Sequence, residues 1–487
     1  MPAAFADFAK SIEARPQRLL WMLAAWHLLF WVLAPTLGYR MLPLDTLELL
    51  GWGQTWQLGY YKHPPLGPWL GEAFLQLFGG NLESLYLLAQ LGMLVCFAYV
   101  YASARLFLDP LRSALAVALL QGSYFHTYLT PNFNMNSLQL PVWAGLSYHF
   151  LRAFRDGGNL QWIAFGAFAA LALLSKYSGL LLLACCAMAL LFSARDRETL
   201  RQAGPWLAAG VALLLLAPHL IWLWSHWELP WSYLRSFDSA NGAWHRHLSE
   251  PLRFGAGALA GLLFSGLLWL SLWRRGQPAA ARLSGGWLLT LLVFGPLLLS
   301  MLYGLLSGSR LKSTWAFPFF SLIGVLWMAR IPLEQARARL PRLLAALVAV
   351  MLTTCSAHLL YKVRWGDSKT RFDGAALAEA ADAYWLRQQS APLGVVIGDH
   401  IDTAIISAYA ADRPLMLIGG DFRISPWVNA ALLQRTGALW LCREPRPCAA
   451  APAPLQSMET VEVSGQRFRF AVLPPGSPIA AATGDSD

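Results

Sequence analysis

The chain has 487 residues, of which 56% are hydrophobic and only 13% are charged, and its mean hydropathy is +0.44. These values exclude an ordinary soluble globular protein and indicate a polytopic membrane protein. The net charge of +10 follows the membrane topology described below. Since the sequence also has no zinc, P-loop or dinucleotide motif, it does not indicate a nucleic-acid-binding or nucleotide-binding protein.

Apolar runs long enough to cross a bilayer, roughly 20 residues each, recur along the first three quarters of the chain. They predict about eleven transmembrane helices. The first run follows Lys10, Arg15 and Arg18 and has no small-residue cleavage site after it, so it is predicted to remain as a signal anchor. The predicted spans are 19–38, 83–105, 113–130, 136–153, 160–175, 178–194, 203–224, 252–273, 286–306, 313–330 and 342–361.

Lys and Arg are distributed unequally between the two sets of alternating loops. Because positive charge near helix ends is retained in the cytoplasm, the richer set predicts a cytoplasmic N-terminus, and eleven crossings then place the C-terminal segment in the periplasm. The predicted cytoplasmic set is Lys10, Arg15, Arg18, Arg105, Arg112, Arg152, Arg155, Arg195, Arg197, Arg201, Arg274, Arg275, Arg282, Arg330, Arg337, Arg339 and Arg342. The predicted outer set is Arg40, Lys62, Lys176, Arg235, Arg246, Arg253, Arg310 and Lys312.

The first outer loop, residues 39–82, is rich in Leu, Trp, Tyr and Gly and is expected to lie on the membrane surface. Its apolar residues predict one interfacial helix from Asp45 to Leu58 and a second from Leu66 to Phe78. Glu72 is expected to mark the wet side of the second helix. Residues 1–362, including this loop, are predicted to form the membrane domain.

The tail is predicted to form a small periplasmic α/β domain at 363–475, followed by a disordered segment at 476–487. Ala375 to Gln389 predicts a helix, Leu393 to Gly398 and Leu415 to Ile418 predict buried strands, and Thr460 to Leu473 predicts a β-hairpin. Asp399 and His400, after the first strand, indicate either a ligand site or, more simply, a turn and helix cap.

The cysteines fall into two groups. Cys442 and Cys448 lie in the tail, where a short-range disulfide and two reduced thiols remain open alternatives. The others are expected to pack as inert apolar side chains within helices; they are Cys96, Cys185, Cys186 and Cys355.

Ionisable groups at the outer membrane boundary cost free energy and are therefore functional candidates. Carboxylates beside cations at the level of a lipid headgroup suit group transfer from a lipid phosphate, because a base can deprotonate the acceptor while cations stabilise the leaving phosphate. The candidates are Asp45, Glu48, Lys62, His63, Lys176, Tyr177, the loop 225–251, Arg310 and Lys312.

Several motifs occur in order along the membrane part: Asp45-Thr-Leu-Glu48, Gly51-Trp-Gly-Gln54, Gly59-Tyr-Tyr-Lys-His-Pro-Pro-Leu66, Asn132-Phe-Asn-Met-Asn-Ser137, Leu174-Ser-Lys-Tyr-Ser-Gly179, Ala217-Pro-His219 and Leu311-Lys-Ser-Thr-Trp315. Together they resemble the family 39-like glycosyltransferases of the GT-C fold. Within these, they are most similar to the bacterial group that includes rhizobial lipopolysaccharide galacturonosyltransferases and lipid A aminoarabinose transferases. The resemblance spans the whole membrane part.

The resemblance implies an inverting glycosyltransferase with a polyprenyl (undecaprenyl) phosphate sugar donor. The acceptor would be lipopolysaccharide, lipid A or another envelope molecule at the periplasmic face of the inner membrane. No nucleotide sugar, nucleic acid or cofactor is implied, and a requirement for a divalent metal ion stays open, although no metal-ligand spacing is convincing.

The resemblance also implies roles for the two acidic residues of the first loop. Asp45 matches the family's first-loop aspartate, which acts as a base or orients the acceptor hydroxyl; alternatively it caps a helix, with Glu48 completing a capping box. Thr46 departs from many relatives, which carry an acid there. Glu48 could therefore supply that acid one turn later, or merely cap.

The basic residues are expected to bind the donor phosphate. Lys62 and His63 occupy the place of a lysine before Pro-Pro in the relatives, and either could be the cation. Lys176 and Tyr177 match a Lys-Tyr pair, and Arg310 and Lys312 precede the tenth span. The alternatives are snorkelling to headgroups, interface anchoring and packing. An acceptor- or sugar-binding role, or a simple turn, is expected for Asn132, Asn134 and Asn136.

Two other functions compete with a transferase. A transporter or flippase of lipid-linked sugars should carry ionisable or helix-breaking residues near the bilayer midplane in related halves, and the sequence has no convincing repeat of this sort. A receptor whose tail binds a ligand would need fewer helices as an anchor.

Overall fold

The computed structural model describes residues 3–192, 197–237, 244–273, 286–365 and 368–479. The chain packs as two compact units: Met1–Leu37, Lys62–Leu66 and Tyr86–Leu359 form the first, and Gly38–Tyr61, Gly67–Leu85 and Leu360–Asp487 form the second. Most of the first loop thus packs with the C-terminal segment. The division into 1–362, 363–475 and 476–487 stays a prediction. Part of the predicted disordered tail, 480–487, lies outside the described residues, as do Arg195, Arg274, Arg275 and Arg282.

The described chain is mostly helical. Its α-helices are α1 (Ala3–Ala14), α2 (Gln17–Gly38), α3 (Leu44–Gly53), α4 (Leu66–Leu77), α5 (Ser84–Arg105), α6 (Pro110–Leu119), α7 (Met135–Asp156), α8 (Asn159–Ser175), α9 (Gly179–Leu191), α10 (Ala203–His226), α11 (Glu228–Arg235), α12 (Arg246–Ala260), α13 (Leu263–Leu272), α14 (Gly286–Ser307), α15 (Ile323–Met328), α16 (Leu333–His358), α17 (Ser368–Arg371), α18 (Gly374–Gln388), α19 (His400–Tyr409) and α20 (Ala430–Thr436).

Within the described residues, five helices are long and apolar enough to cross a membrane: α2, α5, α10, α14 and α16 with its continuation to Arg364. The pair α12 and α13 meets the same test as one span bent by 49°. Helices α8 and α9 are apolar but shorter. The chain is therefore a multi-pass membrane protein, and the number eleven stays a prediction.

Two of the predicted spans, 113–130 and 313–330, are not continuous helices. In the first, α6 ends at Leu119, and 3₁₀ turns follow at Leu120–Gly122 and Tyr124–His126. In the second, a 3₁₀ turn at Ser313–Ala316 precedes the six-residue α15. The prediction of a single helix in each place was wrong, because an apolar run indicates that a segment is buried but does not show that its backbone is a continuous helix.

These broken segments are enclosed by neighbouring helices. A Cβ atom on Gly324 would lie 2.1 Å from the carbonyl oxygen of Ala116, so α15 and α6 pack backbone against backbone. The Ser265 hydroxyl donates a hydrogen bond to the carbonyl oxygen of Leu119 at 2.8 Å, at the end of α6. Non-helical backbone at membrane depth is tolerated where protein groups satisfy it in this way.

The second unit contains a five-stranded mixed sheet in the order β2-β1-β3-β5-β4. The strands are β1 (Val395–Gly398), β2 (Leu415–Ile418), β3 (Ala438–Arg443), β4 (Gln456–Val463) and β5 (Gln466–Leu473). Strand β1 pairs in parallel with β2 and β3, whereas β5 pairs antiparallel with β3 and β4. The predicted helix, the two predicted strands and the hairpin are confirmed, and β3 was not predicted.

Two local predictions in the tail are resolved. Cys442 and Cys448 form a disulfide, with their Cα atoms 5.1 Å apart. The Asp399 carboxylate accepts hydrogen bonds from the backbone N–H groups of Ile401 and Asp402, so it caps α19. The remaining cysteines are buried thiols, as expected: Cys96, Cys185, Cys186 and Cys355.

Glu72 does not lie on a wet side of α4, so that prediction was wrong. Its side chain is 2% exposed, and its two carboxylate oxygens accept hydrogen bonds from the Arg413 guanidinium at 2.9 and 2.8 Å. The exposed side chains of α4 include Leu70 and Leu77. The helix therefore buries its acid in the second unit and exposes an apolar face, as an interfacial helix does.

We expect Glu72→Ala to lower the free energy of unfolding by about 3 kcal/mol, because removing one partner of a buried ion pair leaves the other charge uncompensated. Denaturant titration in detergent would measure this. The matched control is Glu459→Ala, whose pair with Arg387 is about half exposed and should contribute less than about 1 kcal/mol. Equal losses in the two variants would contradict the assignment.

Candidate active site

The turn that carries Lys62 and His63 lies in the first unit, just before Pro64-Pro65 and α4. Tyr233 of α11 faces both residues. The Lys62 Nζ atom lies 5.7 Å from the centroid of its ring, and the ring of His63 lies 6.1 Å from it. An ammonium group at this distance from an aromatic face is held by the ring's negative π surface.

Lys176 lies between α8 and α9, two short apolar helices of the same unit. Its Nζ atom donates a hydrogen bond to Asn136 Oδ1 at 2.7 Å and lies 5.6 Å from the ring centroid of Trp315. Asn134 is the N-cap of α7, and its side chain accepts hydrogen bonds from the backbone N–H groups of Asn136 and Ser137. The cap thus fixes the first turn of α7, on which Asn136 meets Lys176.

Lys312 follows α14 and completes a cluster of cations. Its Nζ atom lies 5.3 Å from the ring centroid of Phe237, and the backbone N–H of Arg310 donates to the carbonyl oxygen of Phe237 at 2.9 Å. The Phe237 ring is 5.2 Å from Tyr233 and 5.2 Å from Trp315. We call Lys62, Lys176 and Lys312 with the rings of Tyr233, Phe237 and Trp315 the lysine cluster.

His63 is uncharged because of its burial and of two neighbouring lysines. Burial of the imidazole, together with the positive charges of Lys176 and Lys62, lowers the pKa of His63 well below its usual value. At neutral pH the imidazole is therefore uncharged. Of the two adjacent candidates for the phosphate-binding cation, Lys62 carries the charge and His63 offers only a neutral hydrogen-bonding group.

This depressed pKa gives a pH prediction. The native state binds fewer protons than the unfolded state as the pH falls below about 6.5, the ordinary pKa of histidine, so His63 should make the protein lose stability on acidification. His63→Gln should lose less stability than the wild type between pH 7 and pH 5. Unfolding midpoints measured across this range test the prediction, and parallel curves for the two proteins would contradict a neutral His63 in the folded protein.

The side-chain contacts of Tyr177 described below are with α10 and not with the lysine cluster. Its hydroxyl lies 3.3 Å from His219 Nε2, and the two rings stack at 5.9 Å. His219 is buried and also stacks on Trp222. The donor-binding role of Tyr177 stays a prediction.

Asp45 and Glu48 belong to the second unit and lie on α3. The N-cap of α3 is Pro43, which has no side-chain cap, so Asp45 lies inside the first turn and the capping alternative does not apply. Asp45 is exposed and Glu48 half-buried. The buried residues of the helix are Thr46, Leu47, Leu49, Leu50, Gly51, Trp52 and Gly53. Helix α3 is thus a buried element that presents one carboxylate at its surface.

Sequence reasoning included the loop 225–251 and the motif that ends at Trp315 but assigned no role to the aromatic residues of the lysine cluster, Tyr233, Phe237 and Trp315. Their signal was weak, because aromatic side chains at the end of a membrane span are ordinarily interface anchors. Among the residues that the structure describes, no group of three or more His, Cys, Asp or Glu side chains could hold a metal ion.

Residues 62–222 match the family model described as dolichyl-phosphate-mannose-protein mannosyltransferase. We call residues 62–222 the glycosyltransferase segment, because they are similar to that family. The predicted resemblance is confirmed. The glycosyltransferase segment contains Lys62, His63, Lys176 and the helix α7 with Asn136, whereas Asp45 lies outside it.

Relatives extend the match beyond the glycosyltransferase segment. The lipopolysaccharide core galacturonosyltransferase RgtB of Rhizobium johnstonii is 24% identical over 437 residues, which cover 80% of this chain and 86% of RgtB. RgtA of the same organism, described in the same words, is 24% identical over 462 residues, covering 85% of this chain and 89% of RgtA.

The fold around the glycosyltransferase segment is that of a solved structure. ArnT from Cupriavidus metallidurans bound to undecaprenyl phosphate superposes with a TM-score of 0.59 at 16% identity, covering 92% of this chain and 97% of ArnT. The apo state gives 0.62 at 15% identity, covering 94% and 98%. The chain has the predicted GT-C fold with a small C-terminal sheet domain.

Proposed function

We propose that the protein is an inverting glycosyltransferase that moves a sugar from a polyprenyl phosphate, such as undecaprenyl phosphate, to an acceptor in the cell envelope. The observation that carries this proposal is the lysine cluster, in which three ammonium groups each lie against one of three neighbouring aromatic rings of the first unit. Positive charge concentrated there suits a ligand whose head is a phosphate and whose tail is a lipid.

The lysine cluster would stabilise the leaving group. In an inverting transfer, the acceptor oxygen forms a bond to the anomeric carbon as the bond between that carbon and the phosphate oxygen breaks. The electron pair of the broken bond leaves with the polyprenyl phosphate, whose negative charge Lys62 and Lys176 would offset. The aromatic rings hold these ammonium groups before the substrate arrives, so little reorganisation is needed during the reaction.

Asp45 would accept the proton of the acceptor hydroxyl, or orient that hydroxyl for attack. It is the exposed carboxylate of α3 and lies in the first turn of that helix. Glu48, three residues later and half-buried, is the second candidate for this role. Arg310 and Lys312 are proposed as further donor-phosphate ligands, and Asn132 and Asn136 as groups that bind the sugar or the acceptor.

The acceptor is proposed to be lipopolysaccharide, in its core or its lipid A part, since the relatives RgtA and RgtB are named for transfer to the lipopolysaccharide core. In this proposal the chain lies in the bacterial inner membrane with its N-terminus in the cytoplasm and its C-terminal segment in the periplasm. The loop charges support that orientation, and so does the Cys442–Cys448 disulfide, because disulfides persist in oxidising compartments.

The experiment is a transfer assay with purified protein in detergent or vesicles. Polyprenyl-phosphate sugars, including galacturonic acid and aminoarabinose donors, are combined with extracted lipopolysaccharide, and mass spectrometry follows both products. We expect release of polyprenyl phosphate and a matching gain of one sugar mass on the acceptor. Movement of the intact lipid-linked sugar from one leaflet of the vesicle membrane to the other, without transfer of the sugar to lipopolysaccharide, would instead identify a flippase and overturn the proposal.

A further inference from the structure

We infer that the C-terminal segment of this protein positions the candidate base. Helix α19 and the turn that follows it, up to Arg413, hold α3 in place and thereby fix the position of Asp45. The inference rests on the proposed function, in which Asp45 is the base. It assigns a positioning role to Tyr409, Gln54, Glu72 and Arg413. All of these residues lie in the second unit.

Helix α3 is fixed by polar contacts at both ends. Before the helix, the backbone N–H of Leu42 donates to the hydroxyl oxygen of Tyr409 at 2.9 Å. After the helix, Gln54 Nε2 donates to the hydroxyl of Ser407 at 2.8 Å and to the carbonyl oxygen of Pro414 at 3.5 Å. Tyr409 and Ser407 are on one helix, α19, which packs along α3. A helix held at both termini by one rigid partner has little freedom to shift.

The same turn also holds the second helix of the first loop. Arg413 follows α19 and forms the buried bidentate pair with Glu72 of α4. Its backbone φ is +46°, in the left-handed region that costs a non-glycine residue free energy. A residue persists in this conformation when its surroundings require it, and here the guanidinium must meet the Glu72 carboxylate. The backbone conformation of the turn is therefore matched to its contact with α4 of the first loop.

What these contacts leave exposed points to function rather than to stability alone. Nearly every residue of α3 from Thr46 to Gly53 is buried, and Asp45 is exposed. Because the polar contacts fix both ends of the helix, they also fix the position of Asp45. Reaction rates depend steeply on the placement of a catalytic group, and a misplacement of about 1 Å can cost roughly a hundredfold.

The test compares two variants that each remove one hydroxyl from the second unit. Tyr409→Phe deletes the hydrogen bond to Leu42. The matched control is Tyr384→Phe, which deletes the hydrogen bond from the Tyr384 hydroxyl to the carbonyl oxygen of Ser457, away from α3. For Tyr409→Phe we expect kcat to fall about tenfold, with the KM for the polyprenyl-phosphate sugar unchanged. The base-controlled limb of the pH profile should also shift, and Tyr384→Phe should change neither quantity.

Gln54→Ala removes the clamp at the other end of α3 and should act in the same direction. In combination with Tyr409→Phe it is expected to lower kcat roughly a hundredfold, while the thermal unfolding midpoint of the full-length protein falls by about a few degrees. If Tyr409→Phe matches Tyr384→Phe in kcat and in pH profile while Asp45→Asn is inactive, the positioning role is wrong and the proposed function stands. An active Asp45→Asn would overturn the positioning role, because the base would then be a different group, whereas the absence of sugar transfer by the wild type would overturn the proposed function.

Discussion

Replacing Asp45 by Asn is expected to reduce sugar transfer by a factor of about 10² to 10⁴, the usual contribution of a general base. Asn keeps the size and hydrogen-bonding atoms of the side chain but cannot accept the proton of the acceptor hydroxyl at neutral pH. Because Asp45 is exposed and does not cap α3, the substitution should leave the helix and the unfolding midpoint unchanged. The measurement is the initial rate of polyprenyl phosphate release.

The matched control for Asp45→Asn is Glu48→Gln on the same helix. If Asp45 is the base, Glu48→Gln should retain most of its activity. If Glu48→Gln loses activity and Asp45→Asn keeps it, Glu48 is the base. Glu48 would then replace the acid that many relatives carry at the position of Thr46. Full activity in both variants would remove α3 from the proposed site.

Replacing Lys62 or Lys176 by Met is expected to lower kcat/KM for the lipid-linked donor about a hundredfold each. Removing one group that stabilises charge in the transition state typically costs 10² to 10³ in rate. Met retains an apolar stem of similar length, so packing against Tyr233 or Trp315 should survive while the charge is lost. The same transfer assay, run over a series of donor concentrations, measures the effect.

Lys10→Met is the control for a lost positive charge, because Lys10 lies on α1 with its side chain 78% exposed. It should leave transfer unchanged. If both Lys62→Met and Lys176→Met also behave as the wild type, the donor phosphate binds elsewhere, and Arg310 and Lys312 become the next residues to replace.

The sequence was informative wherever one physical signal was sufficient. Long apolar runs predicted α2, α5, α10 and α14 to within a few residues, because burial in lipid requires a regular, internally hydrogen-bonded helix. The hairpin was predicted from alternation around Ser464-Gly465, both of which adopt positive φ in a two-residue turn. Charged residues at the predicted outer boundary likewise pointed to Lys62, Lys176 and Lys312, which the structure places against aromatic rings. Their role in binding the donor phosphate stays a prediction.

The features that were missed depend on contacts between distant parts of the chain. Glu72 resembles a solvent-facing residue until Arg413, which is 341 positions away in the sequence, forms its ion pair. Strand β3 lacks the β-branched residues that mark strands, and its place in the sheet comes from pairing with β1 and β5. The rings of the lysine cluster come from α11 and the residues after it and from the 3₁₀ turn at Ser313–Ala316. No local periodicity links these rings to the cations they face.

The backbone contact between α6 and α15 also bears on how the protein is made. At 1.5 Å per residue, helices of ten and six residues span about 15 and 9 Å, too little for either to settle across a bilayer by itself. Arg112 reaches the carbonyl oxygen of Ile331, 219 positions later in the chain. The segment that contains α6 can therefore complete its packing only after α15 has been synthesised. A nascent chain that stops before α15 should leave this segment incompletely packed and open to quality-control proteases.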